Sequence, residues 1–248
     1  MERKKLKLLP KAGVVSLLLS GCIYIAGLFL LFTQGSWWTW LLYIGIAIYI
    51  YRKFFYKTKG FVWFGLGIIL SSLWAVTIVS SPVLSLLISI VLGGLLMLLL
   101  GLEISLFHKE EFIVSILFYS LVYILLSLFS FSVVTLGSWE QIIMTSVLFL
   151  GIGVMLRDTV QLVLNTSSDI VILTFSFIAS LLTMQIVWMS SIFSFGFLYG
   201  ASLSTVFLIL FSDTFLRHKT AQLTKRAILQ NSVFLVLFSV AIALLSLV

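Results

Sequence analysis

Charge is scarce in this chain. Only 9% of its 248 residues are Asp, Glu, Lys or Arg, where water-soluble domains carry roughly a quarter. With 62% hydrophobic residues beside that deficit, water is excluded as the main solvent of the folded protein. Cysteine is almost missing as well. The one cysteine, Cys22, excludes an intramolecular disulfide and any multi-cysteine metal cluster. The apolar runs lack the period-two alternation of a membrane barrel with a polar interior, which leaves helices as the structure that satisfies backbone groups in lipid. No Asp, Glu, Lys, Arg or His falls near the middle of a run. Such residues mark proton relays, ion paths and voltage sensors, so carriage of ions by a charged site is disfavoured.

What is present is a series of long apolar segments. A hydrocarbon layer of roughly 30 Å requires about 20 apolar residues per helix, and nine segments approach or reach that length: 12–32, 37–51, 61–80, 83–102, 112–136, 141–156, 170–189, 192–212 and 227–248. The predicted fold class is all-α, a polytopic transmembrane bundle of about nine spans. Short connections make consecutive spans antiparallel, so the charges between them can be tested for alternation. Arg3, Lys4, Lys5, Lys7 and Lys11 precede the first span, and Arg52, Lys53, Lys57 and Lys59 follow the second. Lys109 follows the fourth span, Arg157 the sixth, and Arg217, Lys219, Lys225 and Arg226 the eighth. These are all 15 basic residues, and nine spans put every one on the same side, as the positive-inside rule requires of the cytoplasmic face. The other side carries only Glu140. Trp37, Trp38 and Trp40 at an outer edge, with Phe54, Phe55 and Tyr56 at an inner one, suit the headgroup layer. The net charge of +7 therefore describes topology, and no nucleic-acid partner is expected. The basic arm, residues 1–11, is expected to lie on anionic lipid of the inner leaflet. The location expected is the cell membrane, the bacterial cytoplasmic membrane, with the N-terminus cytoplasmic and the C-terminus outside.

An internal repeat is visible in the polar residues. Thr33, Gly35, Ser36 and Trp37 recur as Thr135, Gly137, Ser138 and Trp139. At a second constant offset Ser80 and Ser81 match Ser190 and Ser191, Glu103 matches Asp213, and His108-Lys109 matches His218-Lys219, the only two histidines. The expected organisation is a four-helix unit at 12–111, a second at 112–226 and a ninth helix at 227–248, with the units related by an axis along the membrane normal. Small residues at four-residue spacing, Ser85, Ser89 and Gly93 in the fourth span and Gly196, Gly200 and Ser204 in the eighth, read as helix-packing faces.

Reactive constellations are few. Leu19-Ser20-Gly21-Cys22 resembles the lipobox of bacterial lipoproteins, which implies lipidation of Cys22. The apolar run continues past it through 23–32, where lipoproteins turn polar. Gly200-Ala201-Ser202 resembles the Gly-x-Ser of rhomboid intramembrane proteases, but no later span supplies the histidine base that such a serine requires. The repeated pairs Glu103 with His108 and Asp213 with His218 could assemble two carboxylates and two imidazoles at the cytoplasmic rim. Five residues of helix turn an acid and its histidine about 140° apart, so helix-end solvation is the preferred account. Asp169 reads as an N-cap of the seventh span. Gln185 is the deepest amide and is expected to hydrogen bond between helices. No catalytic residue, metal or cofactor is assigned. The favoured reading is a non-catalytic membrane subunit or scaffold that contacts a membrane-protein partner or lipids. A carrier or flippase for a neutral or lipid-like molecule stands second, and an intramembrane enzyme third.

Overall fold

The computed structural model describes residues 11–52, 61–103, 111–132, 137–164, 169–192 and 196–245. Among these residues the chain is entirely helical, with α1 (Lys11–Gln34), α2 (Trp37–Ile50), α3 (Val62–Ile78), α4 (Pro82–Glu103), α5 (Glu111–Ser132), α6 (Ser138–Leu164), α7 (Ile170–Ile192), α8 (Phe197–Lys219) and α9 (Lys225–Leu245). All but α2 and α3 are long and apolar enough to cross a membrane, seven in number. The protein is a multi-helix membrane protein. With 14 residues α2 is about 21 Å long, and with 17 residues α3 reaches about 26 Å, both short of the roughly 30 Å of hydrocarbon.

Two helix boundaries differ from the sequence expectation. The sixth run does not stop at Leu156: α6 continues through Arg157 and Asp158 to Leu164. The two charges neutralise one another as an ion pair, and Val160 beyond them is buried, so the helix gains packing by continuing. The break before α8 lies later than expected, and α8 then extends to Lys219, which places Asp213 and Arg217 within it and Gly196 at its N-cap. In an apolar stretch hydropathy does not mark a turn, and the backbone ends the helix where packing does.

The chain divides into two compact units, Met1–Glu110 and Glu111–Val248. In the first, α1 runs along α4 and also packs on α2, while α3 lies on α4. Glycine makes the α1–α4 approach possible: a Cβ on Gly21 would run into Met97, and one on Gly93 into Ile25. Between α1 and α2 the chain turns at Gly35, whose φ of +55° suits the left-handed position after a helix end. There the N–H of Gly35 donates to Leu31 O at 3.1 Å. Trp37 and Trp38, stacked at 3.6 Å between centroids and both exposed, stand at this end of α2, as aromatic side chains do at a membrane interface.

In the second unit α8 packs on α5, α7 and α9, and α6 on α5 and α7. Gly153 of α6 sits against the Phe177 ring of α7, 2.9 Å from a Cβ placed on it. The Ser180 hydroxyl of α7 donates to Phe149 O of α6 at 2.6 Å. Asp169 caps α7, its Oδ1 accepting from the Val171 N–H at 3.0 Å, and its Oδ2 accepts from Lys219 Nζ at 3.1 Å. These two bonds, the backbone one first, hold its carboxyl below the usual range. The last helix, α9, is the least embedded. Ala227 and Ile242 are buried, while Leu229, Val233, Val236, Leu237 and Leu244 face outward.

Candidate functional site

The most developed polar constellation lies in the first unit. Tyr24 on α1, Tyr43 on α2 and Ser72 on α3 are all buried. The Tyr24 hydroxyl lies 3.0 Å from that of Tyr43 and 2.5 Å from Ser72 Oγ, and Ser72 in turn donates to Ile68 O at 2.8 Å. A hydroxyl has a single proton, so the chain has one direction. Ser72 spends its proton on Ile68 and accepts from Tyr24, and Tyr24, having donated, accepts from Tyr43. All three hydroxyls are thereby satisfied inside a region where an unmade bond is expensive. Tyr24 acts as a clamp holding α2 and α3 to α1.

Below that clamp α2 and α3 stand apart. Between them opens a groove of about 380 Å³, walled by Ala47 and Ile48 on α2 and by Leu66, Ile69 and Leu73 on α3. Along α2 and the residues that follow it, the lining begins at Tyr43 and ends at Tyr51 and Arg52. Tyr43 and Arg52 are nine residues apart, about 13 Å of helix. Arg52 is exposed, and no carboxylate among the described residues pairs with it. In the second unit the consecutive helices α6 and α7 are packed together over Gly153 and Ser180.

Two further polar groups lie in the second unit. Arg157 donates through Nε and a terminal nitrogen to Asp158 Oδ1 at 2.9 and 2.6 Å. On α8, Asp213 Oδ2 accepts from Arg217 Nε at 2.7 Å and from Asn231 Nδ2 of α9 at 3.1 Å, and Asn231 also donates to Thr214 Oγ1 at 3.1 Å. This cluster ties α9 to α8.

The residues singled out in the sequence are placed as follows. His218 is exposed, while Asp213 is turned to Arg217 and Asn231. Glu103 ends α4, and His108 lies outside the described residues. Among the described residues no three of His, Cys, Asp and Glu gather as metal ligands. Ser85 and Ser89 are buried, each donating within its own helix, to Pro82 O at 2.8 Å and Ser85 O at 2.7 Å. Gly93 faces Ile25. Gly200 lies against Ser190 of α7, with the Ser190 Oγ 2.6 Å from a Cβ placed there, and buried Ser204 donates to Gly200 O at 2.8 Å. Hydroxyls satisfied by their own helix can be buried without a partner, which suits close approach of helices. Gly196 is exposed at the α8 N-cap. Cys22 is exposed in the middle of α1, next in sequence to the packed Gly21 and two residues before Tyr24. Of the basic arm, residues 1–11, only Lys11 is among the described residues, as the first residue of α1.

Sequence reasoning passed over the tyrosine chain and the groove. The signal for the first was available, since a tyrosine deep in an apolar span needs a partner for its hydroxyl; the groove depends on how α2 and α3 separate and has no sequence mark. In comparison with known proteins, the chain matches no family model, no curated protein and no solved structure.

Proposed function

We propose that this protein is a non-catalytic subunit or scaffold of a membrane assembly, contacting partner proteins or lipids through the outer faces of its helices. The observation that carries the reading is the position of Gln185. It lies within the span Ile170–Ser191, about 9 Å along the helix from the end at Ser191. Its side chain is exposed on α7, on the same face as Ile178, Leu181 and Met189, which are also exposed. An amide facing hydrocarbon wants a polar partner, and a side chain on a neighbouring transmembrane segment is the natural one. The largest polar groupings inside the units are by contrast engaged in structure, as in the Tyr24 chain and the Asp213–Asn231 tie.

The test is purification of the full chain from its membrane in mild detergent, with the stoichiometry of associated protein measured for the wild type, Gln185→Leu and Gln185→Asn. A stoichiometric partner is expected. Gln185→Leu should weaken its association by about three- to tenfold, the range of one interhelical hydrogen bond, and Gln185→Asn should weaken it less. A wild-type chain that purifies as a lone monomer, or a partner held equally by Gln185→Leu, would overturn the reading.

The organisation that fits it is nine spans, with the basic arm on the inner leaflet and α9 ending outside. Its support is the one-sided placement of all 15 basic residues. The short α2 can cross if Arg52 snorkels past its end and the bilayer thins locally. In a Cys22→Ser background, Ser36→Cys and Lys57→Cys should label from opposite sides of the membrane; labelling from one side would rule out nine spans. A duplicated four-helix unit is supported by matched pairing within each unit, where the first helix packs on the second and fourth and the third on the fourth. That duplication also favours the second reading, a carrier of lipid-like molecules, which protein-dependent lipid movement in reconstituted vesicles would bring forward.

A further inference from the structure

We infer that the groove between α2 and α3 is a binding site for a single anionic lipid, its tail lying along Ala47, Ile48, Leu66 and Ile69 and its acidic head at Arg52. Four observations converge on that chemistry. The first is shape. A groove of about 380 Å³ is within the range of real ligand sites, and its lining runs about 13 Å along the chain from Tyr43 on α2 to Arg52 just past the end of that helix.

The second is polarity. The walls are mostly aliphatic, and although Tyr43 lines the inner end, its hydroxyl is engaged in the bond with Tyr24. The inner end therefore offers a ligand no hydrogen bond, which suits the end of a hydrocarbon tail. The third is charge. Among the described residues the only charged one lining the groove is Arg52, whose aliphatic stem joins an otherwise apolar wall at the opposite end and whose guanidinium no described carboxylate engages. A guanidinium presents a fork of donors that matches a phosphate or carboxylate. Tyr51 beside it places an aromatic ring with a polar tip at the level of a headgroup.

The fourth is the contrast between the units. In the second, the equivalent space is filled because Gly153 admits the Phe177 ring and Ser180 bonds across to Phe149 O. In the first, among the described residues, the hydroxyl chain of Tyr24 links α2 and α3 at the Tyr43 end of the groove. The clamp keeps the groove open at a fixed width rather than letting α2 and α3 close on each other. The site is independent of the proposed contact at Gln185, so either can fail alone.

The experiment is native mass spectrometry of the full chain in detergent, titrated separately with phosphatidylglycerol, phosphatidylcholine, oleate and an isoprenoid monophosphate. One bound phosphatidylglycerol is expected to be retained at least about fivefold more strongly than phosphatidylcholine, the scale of one basic residue at a lipid surface. Arg52→Gln should remove that preference and Arg52→Lys should keep most of it. Ala47→Trp, which fills the groove, should abolish retention of every anionic lipid, and Ile69→Phe serves the same purpose if Ala47→Trp does not fold. Stronger retention of oleate or the isoprenoid phosphate than of phosphatidylglycerol would assign the same site to a fatty acid or a lipid phosphate. Equal retention of phosphatidylcholine and phosphatidylglycerol, or a preference unchanged in Arg52→Gln, would overturn the proposal.

Discussion

Replacing Tyr24 by alanine is expected to destabilise the first unit by about 3–5 kcal/mol, the range for truncation of a buried aromatic side chain, while Tyr24→Phe should cost about 1 kcal/mol. The two variants separate two contributions. Phenylalanine keeps the ring that packs against Tyr43, 5.7 Å away between centroids, and removes only the hydroxyl. Tyr43 then loses its acceptor, and Ser72 loses one donor while keeping its bond to Ile68 O. Alanine removes the ring too. In lipid no hydrophobic force draws the neighbours in to fill the space, so the loss of contact is felt directly. Since Tyr24 holds both α2 and α3, Tyr24→Ala should also let the groove between them collapse or widen. Unfolding in mixed micelles followed by tryptophan fluorescence reads the stability; a Tyr24→Ala variant within about 1 kcal/mol of the wild type would mean that the hydroxyl chain does not hold the unit together.

That Tyr24 needs a partner was legible in the sequence, as were the helices around it, but which groups it meets was not, and the reason is physical. Lipid imposes its thickness and its intolerance of bare backbone on every segment, so 12–32 or 83–102 announces a helix without reference to anything else in the chain. Which side of that helix faces inward is a different matter. An aqueous helix is oriented by its polar face, but α7 is apolar almost all round, and nothing in its sequence says whether Gln185 points to α8 or away from it. Tyr24, Tyr43 and Ser72 meet only because α1, α2 and α3 take particular rotations.

Charged residues misled in one place. Arg157 and Asp158 looked like the end of a span, but they form an ion pair and α6 continues for six residues past Asp158. The five-residue spacing of Asp213 and His218 already put them on different faces, and Asp213 is engaged by Arg217 and Asn231. The small residues of α4 were legible for a similar reason: four-residue spacing places Ser85, Ser89 and Gly93 on one stripe whatever the helix packs against.

Gly93 of that stripe and its neighbour Gly94, which lies off it, should respond oppositely to the same substitution. Gly93→Ala is expected to destabilise the first unit by about 1–3 kcal/mol, the cost of overpacking a tight contact, and Gly93→Leu should prevent the α1–α4 interface from forming as it does. The added Cβ would fall on the Cγ1 of Ile25, with its Cδ1 at 2.8 Å. Ile25 is β-branched and sits in a helix, where a single side-chain rotamer is strongly preferred, so its Cγ1 cannot swing clear at little cost. The helices must then move apart, and with them the contacts of Leu92, Leu96 and Leu99, all buried. Gly94 has nothing within 4 Å of the same added atom. There alanine meets open space and gains helix propensity, so Gly94→Ala should be neutral or stabilising by up to about 1 kcal/mol. The same micelle unfolding measurement decides the case. Equal effects at the two positions would mean that α1 and α4 do not meet across Gly93.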